Sequence, residues 1–159
     1  MKWKEDRKKL DGIISSLNKL DALEVQVGFF NTRYPDSNDN LYVAQVAQWQ
    51  EEGVPANNIP PRPMFRTHLF SKITGGTYKI LNRVVLTAVC DKQLTPRKAY
   101  EDVGEKLVED LKNIIAEGVP PKNVDWWAAK KGNLPPLTHT GFMKDSVDYR
   151  VVKKSVGEE

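Results

Sequence analysis

Sulfur and imidazole are scarce in this sequence: one cysteine, Cys90, and two histidines, His68 and His139, occur in 159 residues. A lone cysteine excludes an internal disulfide and a cysteine-based zinc cluster, and it fits a reducing compartment. The histidines are far apart, with no H-E-x-x-H pair, and neither a phosphate-cradling glycine loop nor a G-x-S-x-G elbow occurs. Cys90 follows Ala88 and Val89 on a predicted apolar helix with no histidine near it in sequence, the setting of a buried, inert thiol. The expectation is a protein without catalytic activity, cofactor or metal. Long apolar runs are also missing: nothing approaches the roughly 18 residues that a membrane span requires. Residues 1–9 are positively charged but have no apolar segment behind them, so no secretory signal is predicted. Neither sign of charge dominates, with 24 basic against 21 acidic side chains well mixed along the chain, and no broad basic field for nucleic acid results.

What is present suffices for a folded domain. Hydrophobic residues make up 40% and charged residues 28% of the chain, which excludes a disordered polymer and predicts one domain over residues 1–159. The most constrained stretch is Asn58-Ile59-Pro60-Pro61-Arg62-Pro63-Met64-Phe65-Arg66. Each proline fixes its own φ and restricts the residue before it, so Ile59, Pro60 and Arg62 are driven to extended geometry. Pro63 can stand at the start of a helix, where its missing N–H costs nothing, so a helix should begin at Pro63 or Met64. This rigid joint, with Ile59, Met64 and Phe65 as apolar anchors and Arg62 and Arg66 as cations, reads either as a surface linker or as a docking segment between subunits.

Hydrophobic spacing supplies the elements. Leu10, Ile13, Ile14, Leu17 and Leu20 predict an amphipathic helix over 3–20. Leu23, Val25 and Val27 alternate with polar residues and predict a strand over 23–30. A polar loop follows at 31–40, and Asp39 or Asn40 can cap a helix over 41–52 whose buried face is expected to be Tyr42, Val46 and Trp49, widened by Val43 and Ala47. Gly53 stops that helix, and Glu51 and Glu52 at its end could pair with arginines of a neighbouring subunit. After the joint, Phe65, Leu69 and Ile73 continue a helical stripe that Gly75 and Gly76 interrupt. Tyr78, Leu81, Val85 and Ala88 resume it to about residue 91. Thr95-Pro96 is a cap followed by a first-turn proline, opening a helix with Val103, Leu107, Leu111 and Ile114 on one face and ending at Gly118. Residues 119–137 have no clean period and read as an irregular, exposed arm, in which at least one of the adjacent Trp126 and Trp127 needs a partner outside the segment. Val147, Tyr149 and Val151 predict a last strand, followed by a charged tail over 153–159 that frays. The two strands need a cover and the long helices need a surface, so the predicted class is α+β: a small antiparallel or mixed sheet from the terminal strands packed against amphipathic helices.

Four features in order carry a resemblance: Val27-Gly28-Phe29 ending a strand, Ala44, Ala47 and Trp49 before Glu52-Gly53, the Ile59-Pro60-Pro61-Arg62-Pro63 joint running into Phe65-Arg66, and Pro136-Leu137-Thr138-His139-Thr140-Gly141 before the last strand. Together they resemble the bacteriophage tail completion, or head-to-tail joining, family that includes minor tail protein Z. The resemblance implies a structural virion component, made in the bacterial host cytoplasm and assembled as a homo-oligomeric ring, commonly sixfold, in the neck. Its implied neighbours are a connector protein and the tail tube or tail terminator; the small positive balance of charge allows weak DNA contact in the lumen, and the lack of long apolar runs predicts no membrane partner. The polar loop at 31–40, the Gly75-Gly76 break and the Trp126-Trp127 arm depart from the family pattern. The alternative is a nucleic-acid-binding module that uses Arg62, Arg66, Lys72, Lys79 and Arg83 along the middle helices with the Trp126-Trp127 arm.

Overall fold

The computed structural model describes residues 2–35, 40–130, 132, 134–138 and 140–154. Helix α1 (Lys2–Asp21) leads into strand β1 (Leu23–Gly28), and α2 (Val43–Glu52) follows the polar loop. The joint then enters a π-helical turn (Met64–Leu69) continued by α3 (Phe70–Thr74), and Gly75 separates α3 from α4 (Gly76–Cys90). The long α5 (Pro96–Glu117) precedes the short α6 (Asp125–Lys130) and α7 (Phe142–Asp145), and β2 (Asp148–Lys153) closes the order. The strands pair antiparallel in register from Leu23 opposite Lys153 to Gly28 opposite Asp148. The α+β class is thus realised with a sheet of two strands, and residues 155–159 of the expected tail lie outside the described residues.

The sheet is too small to bury a face without a cover, and α5 provides it by packing across both strands. Leu107, Leu111, Ile114 and Ile115 of α5 are buried with Val43 and Ala47 of α2, Met64 and Leu69 of the π-helical turn, Tyr78 of α4, Val119, and Met143 and Val147 near the C-terminus. Thr95 caps α5 as its side chain accepts from the Lys98 N–H at 3.2 Å, with Pro96 in the first turn. A smaller cluster of Val85, Val89 and Ala99, with Leu20 and Leu94 against it, joins α4 and the end of α1 to α5.

Two expected faces are corrected. On α2 the buried positions are Val43, Ala47 and Glu51, whereas Tyr42 is exposed and Trp49 remains 37% exposed. The helix is rotated from the Tyr42/Trp49 stripe because Tyr42 serves as the cap position and its ring is engaged by the Arg33 guanidinium, 3.6 Å from the centroid. Among the described residues no side chain caps α2, so Asn40 does not fill that role, and Asp39 lies outside them. On α1 the apolar stripe faces outward: Leu10, Ile14 and Leu17 are exposed, as are Ile80 and Val84 on α4.

Candidate functional site

The joint is built from both sides of α2. Gly53 ends α2 at φ 77°, and a Cβ there would lie 2.8 Å from the Pro61 nitrogen and 2.9 Å from the Ile59 carbonyl, so only glycine lets the joint return so closely. A bridge between Val54 and Ile59 closes the turn, with Asn58 left-handed at φ 54°. The chain then runs extended through the prolines, and the Arg62 N–H donates to the Gln50 carbonyl at 2.6 Å.

Glu51 anchors the next element. Its carboxylate accepts from the Phe65 N–H at 3.0 Å, the Arg66 N–H at 2.9 Å and the Arg66 Nε at 3.3 Å. These amides open the π-helical turn and have no partner within it, so a carboxylate from α2 does the work of a cap. Glu51 is 8% exposed and committed within its own chain, which corrects the expectation that it pairs with a neighbour's arginine. Glu52 is exposed. Arg66 remains largely in solvent, held by Glu51 and by its Nη2 donating to the Glu51 carbonyl at 3.0 Å.

Arg62 is the second correction. Expected as a surface cation for docking, it is 6% exposed, and its guanidinium reaches the arm instead. Nε donates to the Pro121 carbonyl at 3.0 Å, one terminal nitrogen to Gln50 Oε1 at 2.9 Å, and the other to Asn123 Oδ1 at 3.4 Å. Burial pulls its pKa down from the usual guanidinium value. Met64 is fully buried, Phe65 meets Phe29 edge-to-face at 6.2 Å, Ile59, Pro60 and Pro63 are half-buried, and Pro61 is exposed. The arm is less irregular than expected, while most of its described residues are exposed. Val119 is buried, Pro120-Pro121 is cis, and residues 125–130 are helical. The backbone of Trp126 and Trp127 belongs to α6, and their side chains lie outside the description.

Between joint and arm lies a cleft of about 510 Å³. Ile59, Pro60 and Arg62 form one wall, Lys122, Asn123 and Val124 another, and Val46 and Gln50 of α2 meet Phe142 and Met143 of α7 across it. Tyr34 lines it as well, its ring 5.3 Å from that of Phe142, and burial raises the pKa of its phenol. Of these residues the sequence marked only those of the joint as a site, with Val46 read as part of a buried helix face. Gln50, Asn123 and Phe142 carry no local signal, because what makes them neighbours is the approach of segments far apart in the chain.

The basic helix face is largely dissolved by folding. Arg62 is buried, Arg66 is bound to Glu51, and Lys72 lies 3.6 Å from Asp110, which leaves Lys79 and Arg83 of that set exposed without an ion pair among the described residues. Within the same residues no group of three or more histidine, cysteine, aspartate or glutamate side chains could hold a metal, and no helix is long and apolar enough to cross a membrane. His68 is half-buried in the π-helical turn, Cys90 is half-buried at the end of α4, and His139 lies outside the described residues. The arrangement is a preformed, largely apolar cleft with cations and amides at fixed positions. Comparison with known proteins finds no matching family model, no matching curated protein and no matching solved structure.

Proposed function

We propose that this chain is a structural component of a bacteriophage neck, forming a homo-oligomeric ring that completes the tail and joins it to the head. Its partners in this reading are a connector protein and the tail tube or terminator, and it acts in the virion after assembly in the host cytoplasm. The observation that carries the proposal is apolar surface without a cover in the single chain. Leu10, Ile14 and Leu17 share one side of α1, Phe70 is 60% exposed beside Ile73 on α3, and Ile80 of α4 is 68% exposed one turn before Val84. Monomeric proteins scatter single apolar residues over their surface, but runs at helical spacing on two helices packed together are the mark of an assembling protein. A ring closes through contact between unlike patches, and the joint and cleft present a patch of different character from this helical face.

The test is native mass spectrometry with electron microscopy of the purified protein, alone and mixed with neck partners. A closed ring, sixfold by the resemblance, is expected. The double variant Leu17→Glu, Ile80→Glu should keep its circular dichroism, since both positions are exposed, yet remain monomeric and leave heads and tails unjoined when it replaces the normal protein. A wild-type chain that stays monomeric with its partners present, or a double variant that still assembles, overturns the proposal.

A further inference from the structure

The cleft between joint and arm has an unbalanced charge. Its lining includes two cations, Arg62 and Lys122, and, among the described residues, no carboxylate. The Arg62 guanidinium is almost wholly withdrawn from water, yet its three acceptors are neutral: a carbonyl of the cis proline pair and two side-chain amides. Among the described residues neither Arg62 nor Lys122 enters an ion pair. A buried cation held by neutral groups alone is an expensive arrangement, and an incoming anion relieves it. Both terminal nitrogens of Arg62 retain a further N–H, and a guanidinium suits the planar, two-oxygen face of a carboxylate.

The walls decide what carries that anion. Val46, Ile59, Pro60, Val124 and Phe142 are apolar, and a volume of about 510 Å³ accommodates a few side chains rather than a folded element. A free small anion would leave these walls against water. An extended peptide instead places a carboxylate on Arg62 and neighbouring apolar side chains on the walls. The prolines and the Val54–Ile59 bridge hold one wall in place beforehand, so little ordering is required on binding. We propose that this cleft is the docking groove for an extended acidic segment of a partner protein, whose carboxylate is received by Arg62 and Lys122. The inference goes beyond the ring reading and stands or falls separately from it.

The test uses the full chain and short fluorescein-labelled peptides that alternate leucine with glutamate, glutamine or lysine, followed by anisotropy. The glutamate peptide should bind at least about tenfold more tightly than its glutamine counterpart, with affinity falling as salt is raised, and the lysine peptide should not bind. Lys122→Glu and Val124→Glu, both at exposed positions, should each weaken the glutamate peptide about tenfold while the circular dichroism is unchanged. Arg62→Gln should abolish binding if it folds, and the other two variants decide the matter if it does not. Equal binding of glutamate and glutamine peptides, no binding at all, or binding indifferent to both exposed variants overturns the proposal. So does acetate or inorganic phosphate displacing the peptide with the peptide's own affinity, which would reduce the cleft to a small-anion site.

Discussion

Glu51 holds two elements at once: it belongs to α2 by sequence and serves the π-helical turn by its side chain. Glu51→Gln keeps the shape but turns an amide NH₂ towards backbone donors, so urea unfolding should show a loss of about 1 to 3 kcal/mol. A loss within error would mean that water replaces the carboxylate. Arg62→Glu would set a carboxylate among three acceptors in a buried place, so that variant should fail to fold, as circular dichroism would show. Tyr78 offers a test by pH. It is buried, donates to Asp110 Oδ2 at 2.8 Å, and its pKa is raised above the ordinary 10.0, first by burial and then by the hydrogen bond to Asp110 and the negative charges of Asp110 and Glu109. The folded state therefore keeps a proton that the unfolded state releases. The stabilisation is complete below about pH 10 and is lost as pH rises above it towards the folded value, by up to about 1.4 kcal/mol per pH unit for one proton. Tyr78→Phe should flatten that alkaline decline by about one proton; an unchanged slope of stability against pH would show that Tyr78 does not titrate in this way.

Among the elements, α5 decides the architecture, and one glycine decides how closely it lies on the sheet. Gly104 is buried in the middle of the helix, where glycine ordinarily costs about 1 kcal/mol relative to alanine. Here a Cβ would drive into the ring of Tyr149, meeting Cε2 and Cγ at 2.7 Å. Gly104→Ala should therefore destabilise despite its better helix propensity, by about 1 to 3 kcal/mol in denaturant melts, with helical circular dichroism retained. An increase in stability would mean that the helix lifts from the sheet at no cost. The same logic governs α2. Trp49→Ala, expected from the Tyr42/Val46/Trp49 stripe to be severe, falls on a side chain still 37% exposed, while the fully buried Met64 is the position where truncation should cost about 2 to 5 kcal/mol.

Across the whole molecule the two hydrophobic clusters are unequal. The larger gathers α2, the π-helical turn, α4, α5 and α7, while the smaller joins only Val85, Val89 and Ala99 with a few half-buried neighbours. The N-terminal part of α1 contributes little to either, since its apolar stripe faces outward. Native-state hydrogen exchange of the unassembled chain should show α1 opening at a free energy well below that of α5, whose amides should exchange only through global unfolding. Equal protection of the two helices would mean that α1 is held by contacts other than its apolar stripe. In the proposed ring the protection of α1 should rise, since that reading has assembly cover the face that folding leaves bare.

Periodicity, caps and breakers were sufficient to place most elements, because these signals act within a few residues: the strands alternate, Thr95-Pro96 opens α5, Gly118 closes it, and Gly75 interrupts the helix after the joint. The pairing of the terminal strands also followed, since two lone strands and long amphipathic helices have few ways to bury one another. What local spacing could not decide was which way each stripe turned. Outward apolar residues on α1 and the exposure of Tyr42 and Trp49 on α2, beside the correctly expected Val43 and Ala47, depend on where α5 and the π-helical turn lie, and those neighbours are distant in sequence. The fate of the charges was hidden for the same reason. Glu51 and Arg62 are polar residues in an apparently accessible joint, but tertiary folding supplies Phe65, Arg66, Gln50, Pro121 and Asn123 as hydrogen-bonding partners, and only with such partners can a charge be buried.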